Sequence, residues 1–371
     1  MQEADLARLT AQLLWAGLGL GVVFGAVAQR SHFCTMGAVS DIVNMGDWSR
    51  MRMWAIAVAV ALIGFNGMVA LGWVDASKTI YAAPRLLWLS HLVGGLLFGF
   101  GMVLASGCGS KTLVRVGSGN LKSVVVLCVL GIAAFASLKG IAAVARVATV
   151  DNVAWSLPVG QDLPSLLAHA GLGSRATMAL VFGVGGGLCL MVWAMSHRDG
   201  RSGEALLGGL GVGSVIAATW WLSGRMGHLT EHPLTLDEVF LATNSQRMES
   251  LSFVAPIAYT LDWLILFSDK SKLLTLGIVT TVGVVLGSAL TALATGSFRW
   301  EGFAGVEDTA NHLVGAAMMG VGGVTALGCT VGQGLSGLST LALGSVLAVV
   351  AIMAGAVFGI RWQVYRLERS A

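Results

Sequence analysis

The sequence predicts an all-α integral membrane protein of about nine transmembrane helices plus four re-entrant or short helical segments, arranged as two inverted repeats. Three observations carry that expectation. Of 371 residues, 56% are hydrophobic and only 11% are charged, and the mean hydropathy is +0.80, which is far too apolar for a soluble domain of this length. Nine apolar runs are long enough to cross about 30 Å of hydrocarbon. The word His-Leu-Val-Gly occurs at 91–94 and again at 312–315, each copy followed by a cysteine in a small-residue turn, and 312 − 91 and 329 − 108 both give 221. Asp41 and Asp262 share that offset, so the chain reads as internally duplicated.

The nine runs are 11–28, 52–74, 86–105, 121–138, 176–195, 204–223, 272–295, 309–327 and 339–360. Fifty-one glycines suit such a bundle, because small residues let transmembrane helices approach closely. Four Gly-rich or Ser-rich segments, 32–45, 107–118, 251–266 and 328–338, are too short to span. Irregular backbone at membrane depth must be buried in protein or line a wet cavity, since lipid cannot satisfy its N–H and C=O groups. These segments therefore imply a pathway.

The repeat divides one membrane domain into a first unit at 1–138, a connecting loop and linker span at 139–203, and a second unit at 204–371. A single crossing between two four-span units inverts the second, which is a common plan among transporters. The turns at Cys34 and Cys108 then come from one face and the turn at Cys329 from the other. Short connections on the Cys34 side carry Arg30, Arg50, Arg52, Lys111, Arg115, Lys122, Arg198 and Arg201, and the tail carries Arg361, Arg366 and Arg369. The excess of Lys and Arg in short cytoplasmic loops places the C-terminus in the cytoplasm and the N-terminus in the periplasm. Residues 1–5 hold no basic n-region and no small-residue cleavage site follows, so the first apolar run is expected to be a retained span.

Composition also excludes classes. The net charge of +3 comes from 22 basic and 19 acidic residues without a polybasic run, so nucleic acid is not an expected partner; membrane lipid is. None of the five cysteines forms a Cys-x-x-Cys pair and no histidine completes a zinc set, so neither a metal nor a cofactor is expected, and the thiols are read as free. Gly107-Cys108-Gly109-Ser110-Lys111-Thr112 departs from a phosphate loop, with Ser110 where glycine should precede the lysine. The glycines at 183–187 lie inside a span and read as helix packing.

Three thiols stand apart as substrate-pathway residues. Cys34 lies in a dense polar stretch with Arg30 and His32, Cys108 lies among Gly107, Gly109 and Lys111, and Cys329 lies among Gly328, Thr330 and Gln333. The neighbours are secondary pathway candidates. Cys128 and Cys189 sit mid-span in apolar runs and read as small hydrophobes. At the position equivalent to Cys34 the second unit has Ala255, so the scaffold repeats while its thiols do not. A thiol is a weak donor and a soft acceptor, able to contact a sulfur-bearing anion without trapping it as a fixed cation would, and conduction needs that compromise. Free N–H groups at half-helix N-termini favour a dianion in the same loops. His91 and His312, each opening a span, bear on proton coupling or serve as interfacial anchors.

The stretches Gln29-Arg30-Ser31-His32-Phe33-Cys34-Thr35-Met36-Gly37-Ala38-Val39-Ser40-Asp41, Gly99 to Gly109, and Gly328-Cys329-Thr330-Val331-Gly332-Gln333-Gly334 resemble the YeeE/YedE family of thiosulfate and sulfur-compound transporters over nearly the whole chain. The resemblance implies an hourglass-shaped bacterial inner-membrane protein, not an enzyme, that passes thiosulfate or a related sulfur anion along Cys329, Cys108 and Cys34. It also implies a small TusA-like sulfur-carrier partner at the cytoplasmic face. The long connections at 139–175 and 224–250 depart from a compact member and leave another sulfur or selenium species open as cargo. A membrane thiol–disulfide oxidoreductase is the alternative of another class.

Overall fold

The computed structural model describes residues 3–233 and 236–370; Met1 and Gln2, part of the stretch before the first expected span that lacks a basic n-region, lie outside the described residues. The chain is helical almost throughout. In order it forms α1 (Glu3–Arg30), α2 (Thr35–Met45), α3 (Ser49–Ala70), α4 (Trp88–Leu104), α5 (Gly109–Gly117) and α6 (Leu121–Lys139). The connection that follows carries α7 (Ile141–Ala148) and α8 (Leu163–His169), after which α9 (Arg175–Met178) and α10 (Gly186–Met195) are joined by π-helical turns. Then come α11 (Gly203–Trp221), α12 (Val254–Ile265), α13 (Leu276–Ala294), α14 (Val306–Thr325) and α15 (Leu343–Ser370). Among the described residues the strands are two short hairpin pairs, β1 (Arg85–Leu86) with β2 (Trp155–Ser156) and β3 (His228–Leu229) with β4 (Val239–Phe240).

Among the described residues eight helical segments are long and apolar enough to cross a membrane, which makes this an all-α, multi-pass membrane protein. The ninth expected span, 309–327, is a helix of 20 residues, α14, but its composition falls outside that set. Glu307 and Asp308 occupy its first turn, and His312, Gly315, Ala316, Met319 and Gly320 are buried. A helix enclosed by α4 and α6 meets protein rather than lipid, so it tolerates polar atoms that a lipid-facing helix would not. The four expected short segments fall on α2, α5, α12 and the π-helical turn Gly332–Gly337.

Glycine sets how the helices meet. α4 and α14 run antiparallel: a Cβ on Gly94 would lie 2.4 Å from Ala326 N and 2.7 Å from Gly322 O, and one on Gly315 would lie 2.7 Å from Ala105 N and 2.6 Å from Gly101 O. Each of those residues is displaced by 221 from its counterpart. α1 packs parallel to α13, with Gly21 on Thr280 and Gly25 on Val284, while α11 packs parallel to α3, with Gly209 on Ile56 and Gly213 on Val60. α15 lies along α4 and α6 along α14. Asp41 pairs with Arg50 at 3.2 Å, and its counterpart Asp262 pairs with Lys272 at 2.6 Å. The duplicated aspartates thus each tie a short helix to the start of the next span.

Candidate functional site

Both long central helices end in the same backbone device. At the C-terminus of α4, Ser106 takes a left-handed φ of 54°, and at the end of α14 Leu327 takes 59°. Gly107 N–H then donates to Met102 O at 2.8 Å and Gly328 N–H to Gly323 O at 2.8 Å, the six-to-one bond that closes a helix C-terminus. Leu327 breaks the preference for glycine at a left-handed position, so tertiary packing holds its turn. Two residues later the chain reverses, leaving Cys108 and Cys329 at the bends.

All three candidate thiols head a short helical segment. Cys34 caps α2, its Sγ accepting the Gly37 N–H at 3.3 Å. Cys108 occupies the cap position of α5, and its Sγ lies 3.3 Å from Ser110 Oγ. Cys329 Sγ accepts the Gly332 N–H at 3.4 Å, where the π-helical turn begins. A cap thiol stands beside unpaired N–H groups at the positive end of the peptide dipoles. An anion arriving at the sulfur therefore meets donors that need no rearrangement.

The three sites converge. The Cys34 and Cys108 side chains are near enough to influence each other electrostatically, with Lys111 close to both. Cys108 also faces Thr330 of the opposite turn, and Cys329 is approached by the N–H of Phe253, where α12 begins. Thus α2 meets the Cys108 turn and α12, with Ala255 in its first turn, meets the Cys329 turn. Cys108 and Cys329 are buried, at 1% and 0% exposure, while Cys34 is half-buried.

The secondary candidates separate into groups. Thr330 and Gln333 are buried beside the thiols; Gln333 Nε2 donates to Ala326 O at 2.6 Å, while its Oε1 and the Thr330 hydroxyl have no hydrogen-bond partner. Gly107, Gly109 and Gly328 line the bends, and a side chain on Gly107 would press on Lys111. Arg30 and His32 are exposed at the end of α1, at the mouth and not among the thiols. Cys128 and Cys189 are exposed on the outside of the bundle, away from the site. Among the described residues no group of three His, Cys, Asp or Glu has a metal-holding arrangement.

A vestibule of about 230 Å³ leads toward Cys329, lined by Tyr81, Glu249, Ser252, Ala255, Tyr259 and Gly328 among others. Tyr81 Oη donates to Gly332 O at 2.7 Å, clamping the turn. Glu249 was not a candidate from sequence. Burial pushes its carboxyl up to about 7, against the opposing effect of hydrogen bonds from Ser245 and the Asn244 and Ser245 backbone. At the other end, a polar cavity of about 380 Å³ is bounded by Ser106, Arg115, Lys122, Arg299, Asp308 and His312. The long connections supply what sequence reading missed: 227–253 brings Glu249 and Ser252, and 139–175 brings Gln161 against the start of α15. Their docking is a tertiary property without a local signal.

A model described as sulphur transport matches residues 30–358. Thiosulfate transporter TsuA from Spirochaeta thermophila is 27% identical over 370 residues, covering 92% of this chain and 97% of that protein. Thiosulfate transporter TsuA from Escherichia coli is 24% identical over 375 residues, covering 97% of each. The probable transporter YedE from Escherichia coli is 33% identical over 120 residues, 32% of this chain and 28% of that protein.

Proposed function

The chain belongs to the sulphur transport (YeeE/YedE) family, and from that premise we propose that it takes up thiosulfate or a closely related sulfur anion past Cys329, Cys108 and Cys34 in turn. The observation that carries the reading is the convergence of three cap thiols, two of them neighbours, between cavities at opposite ends of the bundle. Each thiol offers a transient S–H contact beside free backbone N–H groups, so the anion is passed on and not held. The duplicated turns, glycine crossings and aspartate pairs support two inverted repeats, 1–138 and 204–371, about a linker at 139–203. The Cys329 side is then periplasmic, and the Cys34 side and C-terminus cytoplasmic, in the inner membrane.

Moving a dianion into a negative interior costs about 2.3 kcal/mol per charge per 100 mV. Lys111 and Arg115 near the Cys34–Cys108 pair offset part of that at the inner end. Capture by a small TusA-like sulfur carrier at that mouth would draw transport forward. Proteoliposomes containing only this chain test the reading: saturable uptake of ³⁵S-thiosulfate, competed by unlabelled thiosulfate more than by sulfate or selenite, is expected, and uptake equal to that of protein-free vesicles removes it. The nearness of Cys34 to Cys108 also favours a second reading, a thiol–disulfide oxidoreductase. Thiol trapping during turnover that finds both cysteines free and unmodified eliminates that alternative.

A further inference from the structure

Beside the Cys329 turn lies a second cavity of about 230 Å³, adjoining the vestibule across Ile80, Tyr81 and Leu327, which border both. We propose that this cavity is the outer mouth of a hydrated proton route, running by His91, Ser345 and Gln333 to the thiols, separate from the path of the anion. The proposal rests on the transport reading above. His91, Ser345 and Gln333 are 2%, 1% and 0% exposed, and His91 Nε2, Ser345 Oγ and Gln333 Oε1 have no hydrogen-bond partner in the protein. Buried polar atoms left bare are costly, and ordered water in an adjoining cavity is the usual remedy.

The atoms form a continuous series. His91 Nδ1 and Gln333 Nε2 share one acceptor, Ala326 O, at 3.1 and 2.6 Å. The Nδ1 proton is therefore committed to that carbonyl, and the Nε2 lone pair is left to the cavity. Two glycines clear the steps between side chains. A Cβ on Gly344 would stand 2.5 Å from His91 Nε2 and 2.6 Å from Gln161 Oε1, and one on Gly337 would stand 2.3 Å from Ser345 Oγ and 2.8 Å from Gln333 Oε1. One turn before Gln333, the unpartnered hydroxyl of Thr330 faces Cys108.

The lining chemistry selects the occupant. No Asp or Glu lines the cavity, its charged lining residue is Arg85, which donates to Asp151 O, and the free positions at His91 Nε2 on the cavity and at Gln333 Oε1 beyond it are acceptors. Water donates to such acceptors, which an anion would not, and a chain of waters between them can hand protons on. Nε2 takes a proton from outer water and returns it from the same lone pair to the inner waters, so the imidazole ends as it began. The charged and titratable groups around His91 are Tyr81 and Arg85 from the preceding loop and Asp151, which is paired with Arg146 and held by Ser90. The end of α14 presents only the Ala326 carbonyl, and α15 only Gly344 and Ser345.

The opposite end has a counterpart. His312, Ser106 and Ser123 line the inner cavity at positions displaced by 221 from His91, Leu327 and Gly344. That cavity, ringed by Arg115, Lys122, Arg299 and Asp308, gives a departing proton direct contact with polar surroundings.

The test uses the full-length protein in vesicles loaded with a pH-sensitive dye. Adding thiosulfate should acidify the interior, and an inside-alkaline gradient should speed ³⁵S-thiosulfate uptake. Gly344→Ala and Ser345→Val should each abolish the acidification and the gradient response while the folded, solubilised variants keep thiosulfate binding; Gly344→Ala, whose Cβ would stand 2.5 Å from His91 Nε2, should melt below the wild type. If one variant does not fold, the other carries the test. Wild-type uptake without interior acidification, or folded variants that acidify normally, would overturn the route and leave the transport reading intact. Absence of uptake by the wild-type protein under every gradient would overturn the transport reading and the route with it.

Discussion

The Cys108 and Cys329 turns share a backbone and differ in their surroundings. The same helix-closing bonds, left-handed residue and reversal recur at a displacement of 221 residues, with Ala105 and Ala326 donating to Gly101 and Gly322 at 3.0 and 2.8 Å. Around Cys108 stand a second thiol and the cations Lys111, Arg115 and Arg50. Around Cys329 stand the Phe253 N–H, Tyr81 and a vestibule whose one charged lining residue among those described is Glu249. One device has been given two electrostatic ends. On the proposed reading an anion enters through the less positive end and moves toward the positive one, an asymmetry that the side chains supply and the repeated backbone does not.

That contrast can be broken from the positive end first. Lys111→Met should lower thiosulfate uptake tenfold or more, in line with about 1.5–3 kcal/mol for a hydrogen bond to a charged group; initial rates in proteoliposomes measure it. Unchanged rates would mean that the asymmetry of charge is idle.

The equivalence of the backbones is tested by paired glycines. A Cβ on Gly99 would lie 2.1 Å from Ile352 O, and one on its counterpart Gly320 would lie 2.5 Å from Leu130 O. Gly99→Ala and Gly320→Ala should each cost about 1–3 kcal/mol through overpacking, seen as lowered melting in detergent. Gly19→Ala, with open space around it, should leave melting unchanged.

The acidic end gives a pH signature. With its carboxyl raised to about 7, Glu249 is protonated below that pH and places a negative charge in the vestibule above it. Uptake should fall as pH rises from 6 to 8 and flatten in Glu249→Gln. Stability follows the same sign: the raised folded value means that this group's stabilising effect is greatest in acid and declines as pH rises toward 7. Glu249→Gln should therefore gain more in melting temperature at pH 8 than at pH 5. The smallest effects belong outside the comparison: Cys128→Ala and Cys189→Ala, on the exposed surface of the bundle, should stay within about 0.5 kcal/mol and at wild-type uptake.

Much of this was legible in the residues. Apolar run length located the spans, and small-residue punctuation located the bends, because both are properties of chain against solvent. The offset of 221 anticipated which atoms repeat, down to the aspartates that each hold a cation. Other features depended on docking. α14 buries His312 between its neighbours while Glu307 lies exposed at its first turn, a mixture that hydropathy cannot register. Glu249, Ser252 and Gln161 lie in connections that read as loops, and only packing against the Cys329 turn and the start of α15 gives them a place. Ala255 was read as a lost thiol; the structure puts it in the vestibule wall, where α12 starts beside Cys329.

The most direct test of the central claim is one uptake series in proteoliposomes, with Cys34→Ala, Cys108→Ala and Cys329→Ala set beside Cys128→Ala and Cys189→Ala at equal reconstituted protein. The account predicts that the three pathway variants lose thiosulfate uptake, Cys108→Ala most completely, while the two surface variants match the wild type. Uptake by Cys108→Ala at the wild-type rate would contradict it.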